Sequence, residues 1–104
     1  MKEIIVTDHA PKPIGPYSQA IRANGFLFAA QIAPENLQAI LTHAGLTLSH
    51  VVKTSVFLKD PNDSAAMNEI YAKYFPAAAP ARSIVQAAGL PKNALIEIEL
   101  VAVL

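Results

Sequence analysis

Hydrophobic and polar positions along the chain change period several times, and each change marks an element. Ile4 to Val6 is a short β-prone run, and the three prolines of HAPKPIGP then fix φ and remove donors. Pro11 to Pro16 is therefore expected to be an irregular but ordered connection. Tyr17 to Ile21 and Phe26 to Ala30 read as two strands, joined through Ala23-Asn24-Gly25 as a hairpin. From Glu35 the period becomes helical, with Leu37, Ile40, Leu41 and Ala44 at i, i+3, i+4 and i+7. Pro34 near its start and Gly45 just past its end bound a helix of about ten residues, roughly 15 Å long.

The second half repeats the alternation. Val51 to Lys59 has a period of two, with Val52, Thr54, Val56 and Leu58 on one face. A second helix follows, with Asp60 or Asn62 as its N-cap and Met67, Ile70, Tyr71, Tyr74 and Phe75 on one side. Pro76 and Pro80 bracket a non-helical connection, Ser83 to Gln86 is a short strand, LPKNA is a turn, and Leu95 to Leu104 is the last strand. Its even-numbered face is apolar. The order ββ–α–β–α–ββ predicts helices packed on one face of a sheet, an α+β two-layer domain spanning residues 1–104.

Composition then removes whole classes of function. With 104 residues, 53% of them apolar, a single core is possible without staples. The absence of cysteine excludes disulfides, Cys-based zinc sites and thiol nucleophiles. Four glycines, at 15, 25, 45 and 89, cannot write a G-x-G-x-x-G or a P-loop. Eight Lys and Arg balance eight Asp and Glu, which argues against nucleic acid as a partner. No apolar run approaches the roughly 18 residues of a membrane helix, and charges occupy the start where a signal peptide would be apolar. The expectation is a soluble, cytoplasmic protein with no membrane partner, in which NDS at Asn62 to Ser64 is a chance glycosylation string.

The last strand carries the unusual chemistry. Glu97 and Glu99 share a face with Leu95, Val101 and Val103, so these carboxylates are either solvated or buried at a contact or cavity that partners them. A glycosidase pair is excluded, because side chains projecting in parallel from one strand do not flank a glycosidic bond. Arg82, one of two arginines, follows a stiff Pro/Ala stretch and has the planar donor set that matches a carboxylate. It can form a structural pair with Glu97 or Glu99, or hold a substrate carboxylate. His9, His43 and His50 lack metal-ligand spacing and are read as surface or capping residues. No G-x-S-x-G accompanies the serines.

The strings IGPYSQAI, FAAQIAP, VVKTSVFLKDPNDSAAMNEIYAKYF and APARSIVQAAGLPKNALIEIELVAV, collinear over most of the chain, resemble the RidA/YjgF family of reactive-intermediate (enamine/imine) deaminases. The resemblance implies a chorismate-mutase-like α+β fold and a homotrimer with its sheets turned inward and sites between neighbouring subunits. It implies hydrolysis of 2-imino or 2-enamino acids, such as 2-iminopropanoate and 2-aminoacrylate, to 2-oxo acids and ammonia, as metabolite damage control with no cofactor or metal. The family's site residues fall on Tyr17, Asn68, Arg82 and Glu97, with main-chain groups around Ile84. Arg82 would grip the substrate carboxylate, Glu97 would orient water and Tyr17 would close the pocket.

This chain departs from the family pattern at three places. Ala29-Ala30 replaces a common Ser-Gly, removing a hydroxyl expected to contact substrate and adding a methyl. Ile84 stands where many members have cysteine. Between Ile32 and Glu35 relatives carry about twenty more residues, so either the helix is shortened or the chain as written joins two segments across a loop. Two other functions compete with deamination: a non-catalytic carboxylate-binding or regulatory module, and, against the charge balance, an RNA-directed endoribonuclease or translation inhibitor.

Overall fold

In the computed structural model, which describes residues 1–104, six strands form one mixed sheet. They are β1 (Glu3–Ile5), β2 (Ala20–Ala23), β3 (Phe26–Gln31), β4 (Val51–Leu58), β5 (Ala81–Gln86) and β6 (Ile96–Val103), in the spatial order β1-β2-β3-β6-β4-β5. All pairs are antiparallel except β4 with β5. A parallel pair needs a crossover, and α2 (Ser64–Tyr74) supplies it; α1 (Pro34–His43) links β3 to β4. This is the α+β two-layer arrangement, with the β-prone run at the start recruited as a sixth strand. No helix is long and apolar enough to cross a membrane.

Local chemistry accounts for the junctions. Asn24 and Gly25 have φ of 53° and 83° between the paired residues Ala23 and Phe26, the two-residue turn whose twist suits a hairpin. Gly45, at φ 80°, closes α1 with Leu46 N–H donating to the Leu41 carbonyl at 2.8 Å and Gly45 N–H to Thr42 at 3.0 Å. Arg22 reaches from β2 to the Ala44 carbonyl at 2.7 Å, adding a cation at that helix end. His50 Nδ1 accepts from Thr47 N–H at 3.0 Å, a capping role of the kind expected for the histidines.

Alternate residues of the sheet divide its two faces. Leu27, Ala29, Val56, Leu58, Ile98, Leu100 and Ala102 point toward the helices and pack on Leu37, Ile40, Leu41, Met67 and Tyr71. The other face carries Phe28, Ser55, Phe57, Glu97, Glu99 and Val101, with no helix over it.

The strand ends fall within a few residues of the sequence expectation, and several features differ from it. β2 starts at Ala20, not Tyr17, and Gln19 just before it turns its side-chain amide onto the preceding segment. A bulge between Val51 and Lys53 takes Val52 out of the alternation, so Val51 occupies the core position instead. Asp60 caps the short 3-10 turn Pro61–Asp63 by accepting from Asn62 N–H at 2.9 Å, and α2 begins after it with no side-chain cap from Asp60 or Asn62. β5 begins at Ala81, which places Arg82 within the strand. On α2, Ile70 is not core: it is 49% exposed.

Candidate functional site

The segment before β2 is held by one buried amide. Gln19, 1% exposed, accepts from Thr7 N–H at 2.8 Å and donates toward the carbonyls of Thr7, Ala10 and Pro11 at 3.1, 3.2 and 2.8 Å. A Pro-rich stretch lacks donors for a ladder of its own, so a side chain that satisfies its carbonyls is what orders it. Tyr17 is placed by this scaffold. Its N–H donates to the Gly15 carbonyl at 2.9 Å, its hydroxyl accepts from Ile14 N–H at 3.2 Å, and its ring lies across Gly15, whose φ is 138°.

The exposed ring of Tyr17 borders a hollow of about 690 Å³ on the helix-free face, together with Ser18, Ala30, Lys53, Ser55 and Glu99. The register Ala30–Glu99–Ser55 across β3, β6 and β4 brings these three side by side. Lys53 Nζ donates to Ser83 Oγ at 3.1 Å on the same face. Lys53 and Ser55 were not singled out from the sequence; their signal was the polar alternation of β4 on the face that Glu99 shares.

Arg82 lies elsewhere. It is in register with Thr54 on β5, so its side chain points to the helix face, where its guanidinium carbon sits 4.7 Å from the centroid of the Tyr71 ring. The Tyr71 hydroxyl is in turn fixed at 2.7 Å from Thr54 Oγ1. A guanidinium on an aromatic face keeps its edge donors free while its plane is held. The expected pairing of Arg82 with Glu97 or Glu99 is not made within the chain, since both glutamates project from the opposite face. Its two ion pairs are Lys12–Asp8 at 3.5 Å and Arg22–Glu3 at 3.7 Å.

Glu97 is half-buried opposite Phe57. Asn68 is exposed on α2. Ile84 packs its side chain against the core, and β5 pairs only with β4, leaving the outer half of its main chain unclaimed. Ala29 is 7% exposed and faces the helices, so only its main chain can face the hollow, and Ala30 alone presents a methyl there. The tertiary structure thus gathers Tyr17, Ala30 and Glu99 at one place, leaves Arg82 on the edge strand β5 and puts Asn68 on the exposed side of α2. β2 and β5 are four strand spacings apart, about 19 Å.

Three comparisons describe what the chain is similar to. The family model described as Endoribonuclease L-PSP matches residues 30–104. A RutC family protein of Pyrococcus horikoshii is 49% identical over 123 aligned positions, covering 98% of each chain. The chloroplastic Reactive Intermediate Deaminase A of Arabidopsis thaliana is 44% identical over 124 positions, covering 99% of this chain and 66% of that one. Among solved structures, Escherichia coli TdcF with bound serine superposes with a TM-score of 0.89 at 36% identity, covering 98% of both chains. By the family model, which matches most of the chain, and by these relatives, the chain belongs to the RidA/YjgF family, also described as endoribonuclease L-PSP.

Proposed function

We propose that the protein hydrolyses small 2-imino and 2-enamino acids, such as 2-iminopropanoate and 2-aminoacrylate, to 2-oxo acids and ammonia, in sites completed by neighbouring copies of a homotrimer. The observation that carries this reading is the separation of Tyr17 from Arg82, at opposite ends of one sheet and on opposite faces. A second copy packed on the bare sheet face and lapping over the free β5 edge would bring its Tyr17 toward this chain's Arg82 and cover Phe28, which is 46% exposed. The name of the Arabidopsis relative supports the reaction, and serine, bound in TdcF, has the carboxylate and nitrogen-bearing carbon of the proposed substrates.

In this reading Arg82 holds the substrate carboxylate through two charge-assisted hydrogen bonds, its plane pre-set by Tyr71. Glu97 orients a water toward the imine carbon, Tyr17 closes the pocket, and Asn68 and the main chain at Ile84 complete the substrate contacts. An enamino acid first takes a proton at C3 to become the protonated imine. Water adds to the carbon of its C=N bond, one proton moves from oxygen to nitrogen, and the C–N bond breaks as the remaining hydroxyl gives up its proton to the departing ammonia, releasing the 2-oxo acid and ammonium. A protonated imine is electrophilic enough that no strong nucleophile is needed. The two-residue step from β3 to α1 is, in the same reading, the family's segment trimmed by about twenty residues.

The test is a coupled assay in which an amino-acid oxidase or a dehydratase releases fresh imino acid. Acceleration of 2-oxo acid and ammonia release over the spontaneous rate, abolished by Arg82→Ala, is expected. Saturable binding of a 2-oxo acid with no acceleration would instead favour a non-catalytic carboxylate-binding module, for which the added methyl of Ala30 at the hollow is the specific reason.

A further inference from the structure

On the helix side of the sheet, away from the hollow beside Tyr17, a second cavity of about 250 Å³ lies between α1 and α2. Its walls are apolar, formed by Leu37, Leu58, Met67, Ile70, Tyr71 and Phe75 among others. α1 starts two residues after β3, and no further helical turn extends past Pro34 to cover Ile70. A dry apolar cavity of roughly 150 Å³ accepts benzene, so this one has room for a ring with a short alkyl chain.

The rim decides the ligand's charge. Glu35 and Asp63 are the only ionised side chains facing the cavity, with no Lys, Arg or His among its lining residues. Both sit at helix N-termini, where the two dipoles contribute about half a positive charge each. Two full negative charges exceed that at the rim itself; the one cation close by, Arg82, lies on the Tyr71 ring and outside the lining. Inside, Tyr71 and Phe75 stand 4.8 Å apart, centroid to centroid, tilted by 40°; one Tyr71 face already carries Arg82, and the rings of Phe75 and Tyr74 are the aromatic groups left to favour a cation.

We propose that this cavity binds small arylalkyl ammonium ions, the apolar body seated between α1 and α2 and the cationic head held at the rim by Glu35 and Asp63. The site is distinct from the one proposed for deamination and is read by binding alone, so neither result depends on the other.

The experiment titrates the full chain with 2-phenylethylamine, 3-phenylpropionate and 2-phenylethanol at neutral pH, following the methyl NMR signals of Ala66, Met67 and Ile70. The amine should bind about five- to tenfold more tightly than the carboxylate, and this preference should shrink as salt is added. In the Glu35→Gln, Asp63→Asn double variant the preference should vanish while binding of the neutral alcohol persists, which also shows that the variant is folded. Equal affinity for amine and carboxylate would overturn the proposal. So would shifts that fall away from α1 and α2, an amine that fails to saturate the signals, or concentration-dependent pairing of two copies through Ile70.

Discussion

Thr54 Oγ1 and the Tyr71 hydroxyl meet at 2.7 Å beneath α2, joining the centre of the sheet to the ring on which Arg82 rests. Thr54 is 1% exposed, and the Tyr71 hydroxyl is the partner its own hydroxyl has. Tyr71→Phe should destabilise the protein by about 1–3 kcal/mol by stranding the threonine hydroxyl. The Thr54→Val, Tyr71→Phe double variant should lose less than the sum of the singles. Urea unfolding of the four proteins measures the coupling.

Gln19 supplies the polar partners of a segment that has no ladder of its own. Gln19→Leu keeps the bulk and removes these bonds, leaving several buried main-chain groups unpaired, at a cost of about 3 kcal/mol. Amide exchange should accelerate first at Thr7 and at the residues leading to Tyr17, while β4 and β6 stay protected. Uniform protection across the chain would mean that the amide does not order the segment.

Gly45 tests the end of α1. A Cβ added there meets nothing within 4 Å, so any effect of Gly45→Ala comes from the left-handed backbone at φ 80°. The expected cost is about 1 kcal/mol, with Gly45→Asn milder, read as a fall in melting temperature.

Partial burial, then the charge of Glu35 and a hydrogen bond to it, hold the Tyr74 hydroxyl above its ordinary pKa of 10.0. The native state therefore retains this proton more tightly than the unfolded chain does. Its contribution to stability is fully present below pH 10.0 and is lost as pH rises through the higher native value. Titration by phenolate absorbance should show a step above pH 10.0 that belongs to Tyr74. Tyr74→Phe should remove that step, and Glu35→Gln should bring it back toward the ordinary value.

If each site draws Tyr17 and Arg82 from different copies, two inactive variants can rescue each other. Arg82→Ala alone should lower turnover to near the spontaneous rate, and Tyr17→Ala should lower it strongly. Unfolding the two together and refolding them as a mixture should restore about a quarter of wild-type activity, because one pairing of copies in four unites both intact residues. Absence of rescue in mixed oligomers would place the two residues in one copy.

Periodicity alone was enough for the two helices, the hairpin and the inward face of β6, because burial on one side imposes a period that local sequence displays. Leu37, Ile40 and Leu41, and Ile98, Leu100 and Ala102, are core for that reason. The Gly45 helix stop and the Asn24-Gly25 turn were legible for an equally local cause, the backbone angles those residues tolerate. Tyr17, Arg82 and Glu97 could be named from the sequence as candidates, but their mutual geometry could not. Which face Arg82 takes depends on where β5 begins and on its register with β4, a pairing across the whole of α2. The use of Gln19 as a pin, the bulge that removes Val52 from the core, and the cavity left beside Ile70 likewise come from contacts between distant segments. No local pattern encodes those contacts, so only the tertiary structure decided that one chain holds the candidate residues apart.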